Sequence, residues 1–203
     1  MLVDGHDLVQ ALFRWLHILA GVTWIGLLYF LTFIHVRLSP ALRSQLLSHI
    51  TLPTLVWFRW GAMLTFLSGY VLLVWKYFLL GSGLSGAGGL LGSSAGLWIS
   101  CGVVLGTIMW WNVWFVIWPI YQAVLGRTGE GAETERPPRA RTALLAARIN
   151  TVLSVPLVFT MLAGSGHAPS IPFQPVWLVL VLGLGCGLAC GLMFLAGRQA
   201  DTS

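Results

Sequence analysis

The sequence predicts an all-α polytopic membrane bundle of five transmembrane helices, with the N-terminus outside and the C-terminus cytoplasmic. Three observations carry that expectation. First, of the 203 residues 57% are hydrophobic and 8% charged, with a mean hydropathy of +0.85, whereas soluble domains carry about 25% charged residues. Second, the apolar residues gather into runs long enough, at about 1.5 Å per residue, to cross a hydrocarbon core of about 30 Å. Third, the basic residues are sorted by loop. Arg37, Arg43, Arg127, Arg136, Arg139, Arg141 and Arg198 fall in loops one and three and the tail. The N-terminal lead-in and loops two and four hold no Lys or Arg. A basic excess in alternate short loops marks the cytoplasmic side. The formal net charge of +5 therefore reports topology and does not point to nucleic acid.

The chain reads as one integral membrane domain, residues 1–203, with spans at about 13–34, 54–80, 97–118, 143–164 and 176–197. A short polar lead-in with Asp4, His6 and Asp7 precedes the first span. That span lies between Arg14 and Arg37, with no formal charge among the residues between them. It is too long for a cleaved signal peptide. His17 sits inside it and His35 at its far end. The connector 35–53 carries His49, and its stretch ALRSQLLSHITL suits a short interfacial helix. The second span has Arg59 near its start and Lys76 near its end, where long side chains reach the headgroups. Residues 81–96 form an uncharged Gly/Ser loop. The third span is expected to end at Pro119, and the Pro137-Pro138 pair to break helix in the polar loop that follows. The fourth span contains Arg148, Asn150 and Pro156, and the loop after it carries His167. The fifth span repeats glycine at Gly183, Gly187 and Gly191. Such a stripe allows close helix approach, within the bundle or between protomers of a homo-oligomer.

The chemistry-bearing residues are few. An ionisable group inside a membrane span is a functional-site candidate. His17 reads either as a buried histidine bonded to a neighbouring helix or as an axial haem ligand. Gly21, one turn on, removes bulk beside the imidazole. His167 reads as a loop histidine or as a second ligand, since charge sorting puts it on the same side as His17. His35 is about 27 Å from His17 along one helix, too far to share an iron. Arg59 and Arg148 are anchors at the cytoplasmic boundary or partners for haem propionates or an anionic substrate. Asn112 and Asn150 suit hydrogen bonds between helices. Trp110, Trp114 and Trp118 share a helical face, as belt residues or as the lining of a cofactor pocket. Cys101, Cys186 and Cys190 lie in apolar stretches as small core residues. No carboxylate falls within the five spans, which disfavours a carboxylate proton relay. No nucleotide loop, Ser/His/Asp set or metal-spaced His/Cys cluster occurs, and no inverted repeat suggests a transporter.

Four blocks add a resemblance. RWLHILAGVTWIGLLYF, WFRWGAML, GTIMWWNVWFVIWP and RINTVLSVPLVFTMLAGSGH resemble, in order over about residues 13–168, the membrane domain of the PuuD-type urate hydroxylases, the urate oxidase N-terminal family. The first block is also similar, more weakly, to the opening helix of the HemJ-type haem-binding membrane bundles. The resemblance implies a haem b-binding redox or electron-transfer protein of the bacterial-type inner (cytoplasmic) membrane. His17 and His167 are then the haem-iron ligands, and Gly21, Arg59, Asn112, Trp114 and Arg148 fall in the matching blocks. The family's full-length members oxidise urate and pass electrons to a C-terminal cytochrome c domain. This chain contains no CxxCH, so the expectation is a separate cytochrome c partner. The rival expectation is a non-catalytic membrane subunit or assembly factor of a respiratory complex, docking through the fifth helix.

Overall fold

A computed structural model of the chain describes residues 5–81, 83–124, 136–166 and 171–198. All regular elements among them are helical. α1 (Gly5–Tyr29) runs on through a π-helical turn, Phe30–Ile34, and a 3-10 turn, His35–Arg37. The short α2 (Pro40–Gln45) and a π turn, Leu47–Thr51, lead into α3 (Leu52–Val74), which ends in a third π turn, Trp75–Leu79. α4 (Ser94–Trp111), a π segment (Asn112–Ile117) and α5 (Trp118–Val124) form one continuous rod. α6 (Arg136–Gly164) and α7 (Pro175–Arg198) complete the chain. Five helical segments are long and apolar enough to cross a bilayer: Gly5–Ile34, His49–Leu79, Ser94–Ala123, Arg141–Gly164 and Pro175–Leu195. The chain thus has the helices of a membrane protein.

Three boundaries differ from the sequence expectation, each for a local reason. The lead-in is helical from Gly5, with Asp7 in the first turn, where a carboxylate complements the unpaired N–H groups. Pro119 does not end the third span. It lies in the first turn of α5, directly after the π segment, where the Trp118 N–H bonds the Val113 carbonyl; local π adjustment lets a membrane helix run on through a proline. Pro137 and Pro138 likewise sit in the first turn of α6, so they start a helix where a break was expected.

The bundle is two antiparallel pairs with a fifth helix outside. α1 packs most extensively on α3, α4 on α6, and α7 on α6. Close approach in the first pair is set by α3. A Cβ on Gly61 would lie 3.3 Å from the Trp24 backbone nitrogen, and one on Gly69 2.8 Å from His17 Cε1, while Thr65 Cγ2 faces Gly21. Gly61, Thr65 and Gly69 recur every fourth residue, which is how small residues let helices approach in lipid. In the second pair a Cβ on Gly102 would meet Met161 Cε at 2.8 Å and one on Gly164 would meet Ile99 Cγ1 at 2.5 Å. The pairs join through a core of Trp24, Leu28, Phe58, Ala62, Met109, Val113, Ile117, Ala146 and Leu157. Beside it, Tyr29 Oη lies 2.8 Å from Ser154 Oγ, and Thr151 Oγ1 donates to Thr32 Oγ1 at 3.1 Å. This shared core begins at Trp24, two turns beyond His17. Around His17 itself, Trp15, Ile18, Leu19 and Val22 are exposed.

The Gly/Ser loop is a folded turn cluster. Leu90 and Leu91 donate backbone N–H to the Gly83 and Leu84 carbonyls at 3.0 and 2.8 Å, and Gly89 to Gly86 at 2.7 Å. Ser93 caps α4, its Oγ accepting from the Gly96 N–H at 3.0 Å. Side chains at Gly92 or Gly96 would collide with the Gly86 or Leu90 carbonyl. Glycine is needed there for space. On α7, Gly183, Gly187 and Gly191 have no described atom within 4 Å of a Cβ position, whereas a Cβ on Gly185 would lie 3.0 Å from Pro156 Cδ. The expected packing of the glycine stripe inside the bundle is therefore not what holds α7. The α6 contact runs through Gly185, off the stripe.

Candidate functional site

Two constellations hold most of the residues singled out from the sequence, at opposite ends of the bundle. The first is built on His17. Its ring is half-buried against α3, seated over Gly69, where any side chain would displace it. Nδ1 lies 2.9 Å from the Thr65 carbonyl oxygen and 3.2 Å from Ser68 Oγ. A carbonyl only accepts, so Nδ1 carries the proton. Ser68 spends its own hydroxyl hydrogen on the Leu64 carbonyl at 2.5 Å, leaving a lone pair toward the ring. The tautomer is thereby set, and the Nε2 lone pair has no hydrogen-bond partner among the described residues. A histidine held by one nitrogen to a backbone carbonyl, with the other free, is the arrangement that orients metal-ligating imidazoles. Gly21 packs against Thr65 and not beside the ring; the glycine under the imidazole is Gly69. At the same end, His6 and Trp75 have ring centroids 5.7 Å apart, and Arg14 and Lys76 are within electrostatic reach of each other. This end of the α1/α3 pair is basic.

The second constellation gathers Arg59 and Trp114. The Arg59 guanidinium carbon lies 3.7 Å from the Trp114 ring centroid, 4.6 Å from that of Trp118 and 5.9 Å from that of Trp60. Trp114 lies within the π segment Asn112–Ile117 and Trp118 directly follows it; π turns often mark functional sites. Asn112, which opens the π segment, donates its amide to Asn150 Oδ1 at 2.9 Å, and Asn150 donates to the Met109 carbonyl at 3.0 Å. Asn150 is fully buried, so the two amides clamp α4 to α6. Arg148 is exposed on α6. Arg59 lies ten residues before Gly69, or about 15 Å along α3 from the seat of His17. The structure therefore brings Arg59 and Trp114 together but sets them apart from His17. His167 lies outside the described residues. Beyond it, Ile171 is tied back to the bundle: Trp98 Nε1 donates to its carbonyl at 3.1 Å.

His35 and His49 stand at the other end of α1 from His17. His35 is buried, its Nε2 2.8 Å from Thr51 Oγ1, and His49 is exposed. Among the described residues no three His, Cys, Asp or Glu side chains come together to hold a metal ion. The residues missed from sequence are Thr65, Ser68 and Gly69. Their only signal was the four-residue spacing of small residues in WGAMLTFLSG, read from a helix distant in sequence.

Residues 90–202, more than half of the chain, match the family described as Urate oxidase N-terminal. The fold and the match together define the class, an all-helical protein with five helices fit to span a membrane. The chain belongs to the urate oxidase N-terminal family. The matched stretch comprises α4 to α7 with Asn112, Trp114 and Arg148; the α1/α3 pair precedes it. No curated protein and no solved structure matches the chain.

Proposed function

We propose that the chain is a membrane-embedded, haem b-binding redox protein related to the urate hydroxylases, delivering electrons from urate to a separate cytochrome c. The observation that carries the haem assignment is His17. Its Nδ1–H is committed to the Thr65 carbonyl, its Nε2 has no described partner, and a side chain under the ring is excluded at Gly69. The donor fits: a neutral imidazole with a free Nε2 is a common axial ligand of haem iron. The surroundings fit as well. The shared core stops at Trp24, leaving the outer part of the α1/α3 pair uncovered beside His17. Arg14 and Lys76 stand at the same end and offer charge to the propionates, a role for which Arg59, about 15 Å away along α3, is badly placed. His167 remains the proposed second ligand.

Bound haem would supply one-electron transfer. The chain's own contribution would be to hold the imidazole in one tautomer and orientation as a donor to iron, and to keep water from the inner half of the bundle by the packed core. Arginine sorting supports an N-terminus outside and a C-terminus in the cytoplasm, in the inner membrane of a bacterial-type cell. His17 then faces the outer side, where a soluble cytochrome c can dock. The experiment is urate-dependent reduction of added ferricytochrome c by the purified, haem-loaded chain. The expected result is two cytochromes reduced per urate, without oxygen uptake. Haem-loaded protein that reduces no cytochrome c with urate present would overturn the urate part of the reading.

A further inference from the structure

We propose that Arg59 and the indoles around it form an anion site that takes the phosphodiester of an anionic phospholipid. Arginine is a permanent cation, and here it is embedded in an apolar helix. The faces of Trp114, Trp118 and Trp60, at 3.7, 4.6 and 5.9 Å, hold the guanidinium plane without neutralising it. Among the described residues Arg59 has no ion pair, and its Nε is buried without an acceptor. The indole N–H groups of Trp114 and, one turn earlier, Trp110 are also buried without acceptors. No Asp or Glu occurs between residues 8 and 129 or between 136 and 200. The cluster holds donors and no acceptor. A buried donor without a partner is costly, and a group with negative charge and several acceptor oxygens is its complement.

Location selects the source of that oxyanion. Arg59 lies about 10 Å into α3 from its first residue, Leu52, and its side chain can extend back toward that end. Trp57 and Trp60, flanking it, are exposed, as interfacial belt residues are. A guanidinium at belt depth meets lipid phosphates before any soluble anion. The site stands apart from His17 and does not depend on haem. Only its assignment to the inner, anionic leaflet rests on the orientation proposed above.

The test uses the full chain in phosphatidylcholine nanodiscs with phosphatidylglycerol raised in steps, following the melting temperature by tryptophan fluorescence. The wild type is expected to stabilise saturably. Arg59→Gln should flatten that response or raise the half-saturating fraction roughly tenfold or more. Arg59→Lys should keep a weakened response, because the charge stays while the planar fork is lost. Should Arg59→Gln fail to fold, Trp114→Leu, which keeps the charge and removes the platform, should weaken the response several-fold. Inorganic phosphate in lipid-neutral discs should have no effect; stabilisation equal to that by phosphatidylglycerol would overturn the lipid assignment in favour of a free oxyanion. An equal response in wild type, Arg59→Gln and Trp114→Leu overturns the site. So does a flat wild type.

Discussion

The orientation of His17 is decided by a carbonyl on another helix. Thr65 is 48 residues away in sequence, yet its oxygen 2.9 Å from Nδ1 sets which nitrogen is free. Gly69 acts by absence, since its Cβ would fall 2.8 Å from the ring. Gly69→Ala should therefore shift the imidazole and cost about 1–3 kcal/mol of stability, read by denaturant unfolding in detergent; an unchanged midpoint would show that the ring has slack. Asn150 is the second residue with a distinct cost. Its removal leaves the half-buried Asn112 amide without its acceptor and takes one donor from the Met109 carbonyl, so Asn150→Ala should destabilise by about 1–3 kcal/mol. His17 was legible because an ionisable group inside an apolar span stands out against its surroundings. Its partners were not, because a carbonyl carries no side-chain signature and a small residue gains meaning only from the helix facing it. Gly21 shows the same limit: its spacing from His17 was correct, but its face belongs to Thr65.

At the scale of elements, the apolar runs specify five long helices, each apolar enough to cross a bilayer. What spacing did not reveal are the π turns at Phe30–Ile34, Leu47–Thr51, Trp75–Leu79 and Asn112–Ile117. The prolines follow position and not identity: Pro119 and Pro137 lie in first turns, while Pro156 stays inside α6 and packs on Gly185. That contact yields a paired prediction. Gly185→Leu should lower the melting temperature, because the side chain must enter Pro156. Gly187→Leu should leave the monomer's melting temperature nearly unchanged, because its face is open. Equal losses in both would show that the Gly183–Gly187–Gly191 stripe is packed after all. In the turn cluster before α4, Gly92→Ala should destabilise by about 1–3 kcal/mol, since the added carbon meets the Gly86 carbonyl.

For the whole molecule, the two ends of the bundle differ in chemistry. The end with the α1 N-terminus carries Arg14, His17 and Lys76; the opposite end carries Arg59 with its indoles, and Arg37 and Arg141. The proposed orientation predicts that reporter fusions at Ser85 and Gly129 read outside and inside respectively; the same side for both would contradict it. The family match over residues 90–202 covers the helices that brace the α1/α3 pair. The claim that joins these scales is that His17, locked through Nδ1 to Thr65, ligates haem b. The most direct measurement is the Soret absorbance and EPR spectrum of purified wild type beside His17→Ala. The account predicts a haem signal in the wild type that is lost in His17→Ala while the protein stays folded by circular dichroism. A full and unchanged haem spectrum in His17→Ala, or no haem in the wild type, would contradict it.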